Sequence, residues 1–108
     1  MGELVKETME SVTEWAESTF GPANEVKMLK RAEAEFDELV TAFYSGEHLE
    51  KIAFEAADVV ICLYRLICRI NPDAIDQKMA INRARKWVVK DGVGQHVKPP
   101  VEAPSDGC

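Results

Sequence analysis

The chain has little of what the commoner chemistries require. Its three cysteines are an odd number, and Cys62 and Cys68 fall in one apolar stretch at a spacing unsuited to a bridge between them. A disulfide scaffold is not expected, and a reducing, cytoplasmic setting is. There is no Walker loop and no dinucleotide glycine motif, so neither a P-loop nor a Rossmann site has support. The N-terminus MGELVKETME lacks a basic region followed by an apolar one, and the longest apolar run is Val59 to Tyr64. Secretion and membrane spanning are not expected. Basic residues are outnumbered 13 to 19 by acidic ones, and the net charge of -6 repels a phosphate backbone. Nucleic acid is therefore not an expected partner.

What is present is a soluble composition, 46% apolar and 30% charged over 108 residues, enough for one domain with a small core. The periodicity is helical nearly throughout. Val5, Met9, Val12 and Ala16 step by four, three and four, which predicts an amphipathic helix over residues 3 to 19, closed by Gly21-Pro22. Leu29, Ala32, Phe36, Leu39 and Phe43 mark a second helix over 24 to 44, stopped at Ser45-Gly46. A third, over about 47 to 70, is apolar from Ile52 to Ile70 except at Glu55, Asp58, Arg65 and Arg69. Such a helix has to be surrounded. Asn71-Pro72 then suits the start of a fourth helix, running to about Val88. Asp91-Gly92 suits the turn of a short hairpin, and residues 98 to 108 read as a flexible tail. The expected fold is an all-α four-helix bundle over residues 1 to 90, with a partly flexible C-terminal extension from 91 to 108.

Glu-x-x-Glu spacing is common in this glutamate-rich chain, and most examples read as solvated faces. Glu35/Glu38 differs because it has a counterpart, Glu55/Asp58, set in the apolar surroundings IAFEAADVVICLY, where an unpaired carboxylate costs several kcal/mol. The midpoint of 38 and 55 is 46.5, as is that of 35 and 58. In an antiparallel hairpin turning near Gly46, Glu38 therefore faces Glu55 and Glu35 faces Asp58. Residues three apart on a helix share a side and differ by about 4.5 Å in rise, so four carboxylates converge. At roughly 6 Å and an effective dielectric of about 20, each like-charge pair costs on the order of 3 kcal/mol. Two unrelated surface salt-bridge pairs are the bland reading. The sharper one is a hard divalent cation, for which an all-carboxylate shell favours Mg²⁺ or Mn²⁺ over zinc. A di-iron site has less support, because no Glu-x-x-His is present.

These residues resemble the MazG-like, all-α nucleoside triphosphate pyrophosphohydrolases, whose mark is Glu-x-x-Glu, a gap of a dozen to under thirty residues, then Glu-x-x-Asp. Here the gap between Glu38 and Glu55 spans residues 39 to 54. RAEAEFDEL and FEAADVVICLYRL resemble the family's two acidic blocks, with Arg31 where many members carry lysine. KMAINRARKW resembles a later block, which assigns Lys78, Asn82 and Arg85 to the phosphates and sugar; they also share a helix face by spacing. EWAESTFGPAN resembles the segment that closes over the base, which points to Trp15, Phe20 and Asn24. The fourth helix departs from the family's basic-Tyr-Pro ending, carrying Arg85-Lys86-Trp87.

The resemblance implies Mg²⁺-dependent hydrolysis of a nucleoside triphosphate to the monophosphate and pyrophosphate. Glu35, Glu38, Glu55 and Asp58 would be the metal ligands, and Glu35 or Glu38 the catalytic base that takes a proton from the attacking water. The competing class is a non-catalytic helical dimerisation or regulatory module with a structural metal patch. The all-round apolar third helix, in either class, predicts a homodimer or a dimer of dimers.

Overall fold

The computed structural model describes residues 3 to 97, and the expected flexible tail lies outside them. The described residues are mostly helical, with four helices and one two-stranded sheet, and they fall into two compact units that divide between Asp73 and Ala74.

The first unit holds α1 (Met9–Phe20), α2 (Glu25–Tyr44) and α3 (Leu49–Ile70), with both α1 and α2 packed on α3. The first helix begins later than its periodicity predicts. Thr8 closes a capping box, its hydroxyl accepting from the Ser11 amide at 3.0 Å while its own amide donates to Ser11 Oγ at 2.7 Å. Val5 is left outside the helix and exposed. Asn24 caps α2 by accepting from the Lys27 amide at 3.1 Å. Gly46 takes φ 76° between α2 and α3, a left-handed value that suits glycine at the expected turn.

On α2 the buried residues are Ala32, Glu35 and Ala42, whereas Leu29, Phe36 and Phe43 of the apolar stripe are 60%, 53% and 58% exposed. The expectation that α3 is surrounded is likewise not met within the first unit. Two helices pack on it, only Cys62 and Arg65 are buried, and Phe54, Val60, Leu63 and Ile70 are exposed. The buried apolar residues are Ala16, Ala23, Ala32, Ala42 and Cys62, and none of the described large side chains is fully buried.

The second unit holds α4 (Ala74–Ala84), β1 (Trp87–Lys90) and β2 (Val93–His96). Asn71 does not open α4. Its amide donates to the Ile67 carbonyl at the end of α3, and its Oδ1 accepts from the Asp73 amide at 3.1 Å, so the helix starts at Ala74. It also stops short of Val88, because Trp87 and Val88 belong to the first strand. The strands pair antiparallel with Trp87 opposite His96 and Lys90 opposite Val93, as the Asp-Gly turn predicts. Asp91 and Gly92 both take positive φ, 52° and 77°, the requirement of the tightest hairpin turn. Residues 90 and 91, between which the sequence suggests a boundary, both lie in this hairpin, inside the second unit.

Candidate metal centre and adjoining cavity

Glu35, Glu55 and Asp58 each offer one carboxylate oxygen, and these atoms lie within 4.8 Å of one another. This triad can hold a metal ion: three hard oxygen donors from two adjacent helices suit a divalent cation, and their mutual repulsion is relieved when one is present. Glu35 and Asp58 come together as the hairpin register predicts, and Glu55 joins them from the preceding turn of α3. Glu38 stands beside this group, exposed, sharing with Glu55 the wall of a neighbouring cleft of about 350 Å³. Three residues along a helix amount to a rotation of about 60° from the starting direction, which takes Glu38 off the row that α3 covers.

Glu35 is the centre of the electrostatics. It is 7% exposed, and its carboxyl is pushed above the usual carboxylate range, first by burial and then by the charge of Glu38, with Asp58 and Glu55 adding to the effect. Arg31 opposes this from one turn earlier, its guanidinium 3.1 Å from Glu35 Oε1.

Glu35 and Asp58 also line a cavity of about 500 Å³. Its walls include Trp15 and Phe20 from α1, Lys27, Met28 and Arg31 from α2, and Ile61, Cys62 and Arg65 from α3. Trp15 and Phe20 meet edge to face with centroids 5.4 Å apart. Burial pushes the Cys62 thiol up, with the Glu35 charge acting in the same direction. Of the residues expected at a base, Trp15 and Phe20 reach the cavity, while the Asn24 side chain serves the α2 cap and is absent from the lining.

Lys78 and Asn82 share one half-buried face of α4 with Ala74, and Arg85, the residue after the helix, is half-buried as well, while Ile75, Met79 and Ile81 are exposed. Asn82 Oδ1 is buried with no hydrogen-bond partner, and the Asn82 carbonyl accepts from Trp87 Nε1 at 2.6 Å. These three residues lie in the second unit and the carboxylates in the first.

Sequence reasoning assigned no role to Arg65. It is buried, its Nη2 donates to Glu17 Oε2 at 3.1 Å and to the Gly21 carbonyl at 3.0 Å, and its guanidinium carbon lies 5.9 Å from the centre of the Phe20 ring. It anchors the end of α1 and so positions the aromatic wall. The signal was an arginine in an apolar run, three and seven positions from Cys62 and Asp58 and so toward the same helix face.

No described helix is long and apolar enough to cross a membrane. Comparison of the chain with family models, with curated proteins and with solved structures gave no match.

Proposed function

We propose that the protein is a Mg²⁺-dependent nucleoside triphosphate pyrophosphohydrolase of the MazG-like type, releasing the monophosphate and pyrophosphate. One observation carries the reading: the carboxylates that can hold a metal also form one wall of a cavity sized and lined for an aromatic ring. A metal patch that served structure alone would have no need of that cavity.

In this reading Glu35, Glu55 and Asp58 hold Mg²⁺, with Mn²⁺ as a substitute, and Glu38 adds charge or a ligand from the flank. A cation held there would supply charge neutralisation on the phosphates and lower the pKa of a water. Glu35, already raised toward its neutral form, or the more exposed Glu38 takes that water's proton. The water attacks the α-phosphorus, the bond to the bridging oxygen breaks, and pyrophosphate leaves. Trp15 and Phe20 provide the ring platform, Arg31 and Lys27 face anionic oxygen, and Lys78, Asn82 and Arg85 bind phosphate and sugar.

The functional form is a four-helix bundle assembled as a homodimer or a dimer of dimers. Leu29, Phe36, Val40 and Phe43 form one exposed stripe on α2, and Val60 and Leu63 are exposed on α3. Covering side chains of this size is worth about 1.5 to 3 kcal/mol each, and a second copy offers a matching surface.

The deciding experiment is a pyrophosphate-release assay on the purified chain across common and modified nucleoside triphosphates, with Mg²⁺ and with chelator. Metal-dependent release of equimolar monophosphate and pyrophosphate is the expected result. Metal binding without turnover on any triphosphate would favour the regulatory module instead.

A further inference from the structure

We propose, resting on the metal reading above, that Arg31 is the exchangeable counter-ion of the carboxylate site: it neutralises Glu35 until a divalent cation displaces it. The three carboxylates are unequally placed, since Glu35 is buried, Glu55 is half-buried and Asp58 is exposed. Water screens the charge on Asp58 and part of that on Glu55, whereas a charge on Glu35 has to be met by the protein. Arg31 meets it, its Nη2 lying 3.1 Å from Glu35 Oε1. Neither Glu55 nor Asp58 has an ion pair among the described residues. The cationic partner of the triad thus sits on its least hydrated member.

The pair is easily opened, as a comparison with Arg65 shows. Arg65 has a side chain only 9% exposed, and its Nη2 donates both to Glu17 and to the Gly21 carbonyl, so it is fixed from two sides. The Arg31 side chain is 64% exposed and reaches Glu35 from one turn earlier on the same helix. Water competes for such a guanidinium, and the pair is correspondingly weak.

A divalent cation at the triad carries twice the charge of Arg31 and meets three oxygens rather than one, so it outcompetes the guanidinium for Glu35. Two like charges a few ångströms apart then repel, and Arg31 moves off. It stays close to the site. Arg31 borders the cavity together with Lys27, one turn earlier, so the released guanidinium remains within reach of an anionic ligand there. One side chain thereby serves carboxylate and anion in turn. A cation arriving alone has to displace Arg31 before it binds, and its affinity is lowered accordingly.

The test is Mn²⁺ titration of the full chain at low ionic strength without any nucleotide, with free Mn²⁺ read by electron paramagnetic resonance, for the wild type, Arg31→Gln and Lys30→Gln. Both substituted side chains are exposed, and circular dichroism checks that each variant is folded. Lys30→Gln removes an equal charge from the neighbouring position of α2, outside the cavity lining and unpaired with the triad. Arg31→Gln is expected to bind Mn²⁺ about fivefold more tightly than the wild type, the worth of an ion pair that no longer competes. Lys30→Gln is expected to change the affinity by less than about twofold, as a screened surface charge does. Equal or weaker binding by Arg31→Gln overturns the proposal and leaves the metal site standing. A gain in Lys30→Gln that matches the gain in Arg31→Gln also overturns it, because the general field of the protein and not the pair with Glu35 then sets the affinity. Absence of saturable binding to the wild type overturns the proposal together with the metal reading beneath it.

Discussion

The two faces of α2 differ in a way opposite to that of a self-sufficient globule. The face that α3 covers carries Ala32, Glu35 and Ala42, small or charged, while the other carries Leu29, Phe36, Val40 and Phe43, large and apolar, and exposed. A chain that folded only to bury apolar area would place them the other way round. The small residues let α2 and α3 approach closely enough for carboxylates from both to meet. The large ones are not covered by the other helices of the first unit. In the proposed function one face serves chemistry and the other assembly, so damage to each should have a different signature.

The largest effect is expected on the inner face. Asp58→Asn removes one ligand from the triad and should lower pyrophosphate release by at least about a hundredfold, since several kcal/mol of charge stabilisation depend on the bound cation. Helical circular dichroism should be unchanged, and the metal-free protein should melt no lower, because a like charge has gone. Loss of stability with full activity would mean that the carboxylates serve structure alone.

Next comes the outer face. Phe36→Glu places a charge in the exposed stripe, and light scattering should then fall from at least twice 12.1 kDa toward a single chain. An unchanged mass in this variant would show that the stripe is not the contact.

A smaller effect, of opposite sign to ordinary acid denaturation, follows from Glu35. Its carboxyl is raised above the usual range, so the native state holds that proton more firmly than the unfolded chain does. Its contribution to stability is present below the unfolded value and is lost as pH rises through the folded one. Metal-free protein should therefore gain melting temperature as pH is lowered from about 7 toward about 5, and saturating Mg²⁺ should abolish or invert that gain. A metal-free melting temperature that falls throughout this interval would contradict the electrostatics described for Glu35. Smallest of all is Arg69→Ala. The Arg69–Glu25 pair at 2.7 Å is exposed, though it lowers the Glu25 carboxyl, and its loss should leave the melting temperature within error.

Much of this arrangement was legible in the residues. The hairpin register followed from numbering alone, because two helices joined by a short turn place residues equidistant from Gly46 at one height. That argument brought Glu35 to Asp58 and Glu38 to the side of Glu55. It did not separate Glu38 from the close triad, since counting heights ignores the rotation about each helix axis. The start of α1 was misjudged because periodicity continued through Val5, whereas the reciprocal Thr8–Ser11 cap fixed the boundary. The apolar stripe of α2 was seen correctly as a stripe, but periodicity does not say which neighbour covers it. Arg65 was missed for a related reason: one charge in an apolar run has meaning only when Glu17 and Gly21, far away in sequence, are brought to it.

The central claim is that Glu35, Glu55 and Asp58 form a divalent-cation site, and manganese titration followed by electron paramagnetic resonance addresses it directly. Free Mn²⁺ gives a six-line signal that is lost on binding, so bound ions can be counted against the wild-type chain and against a Glu55→Gln, Asp58→Asn double variant. The account predicts saturable binding to the wild type, competed by Mg²⁺, and no binding above the general surface background in the variant. Equal binding by the two proteins would place the cation elsewhere in this acidic chain and contradict the site.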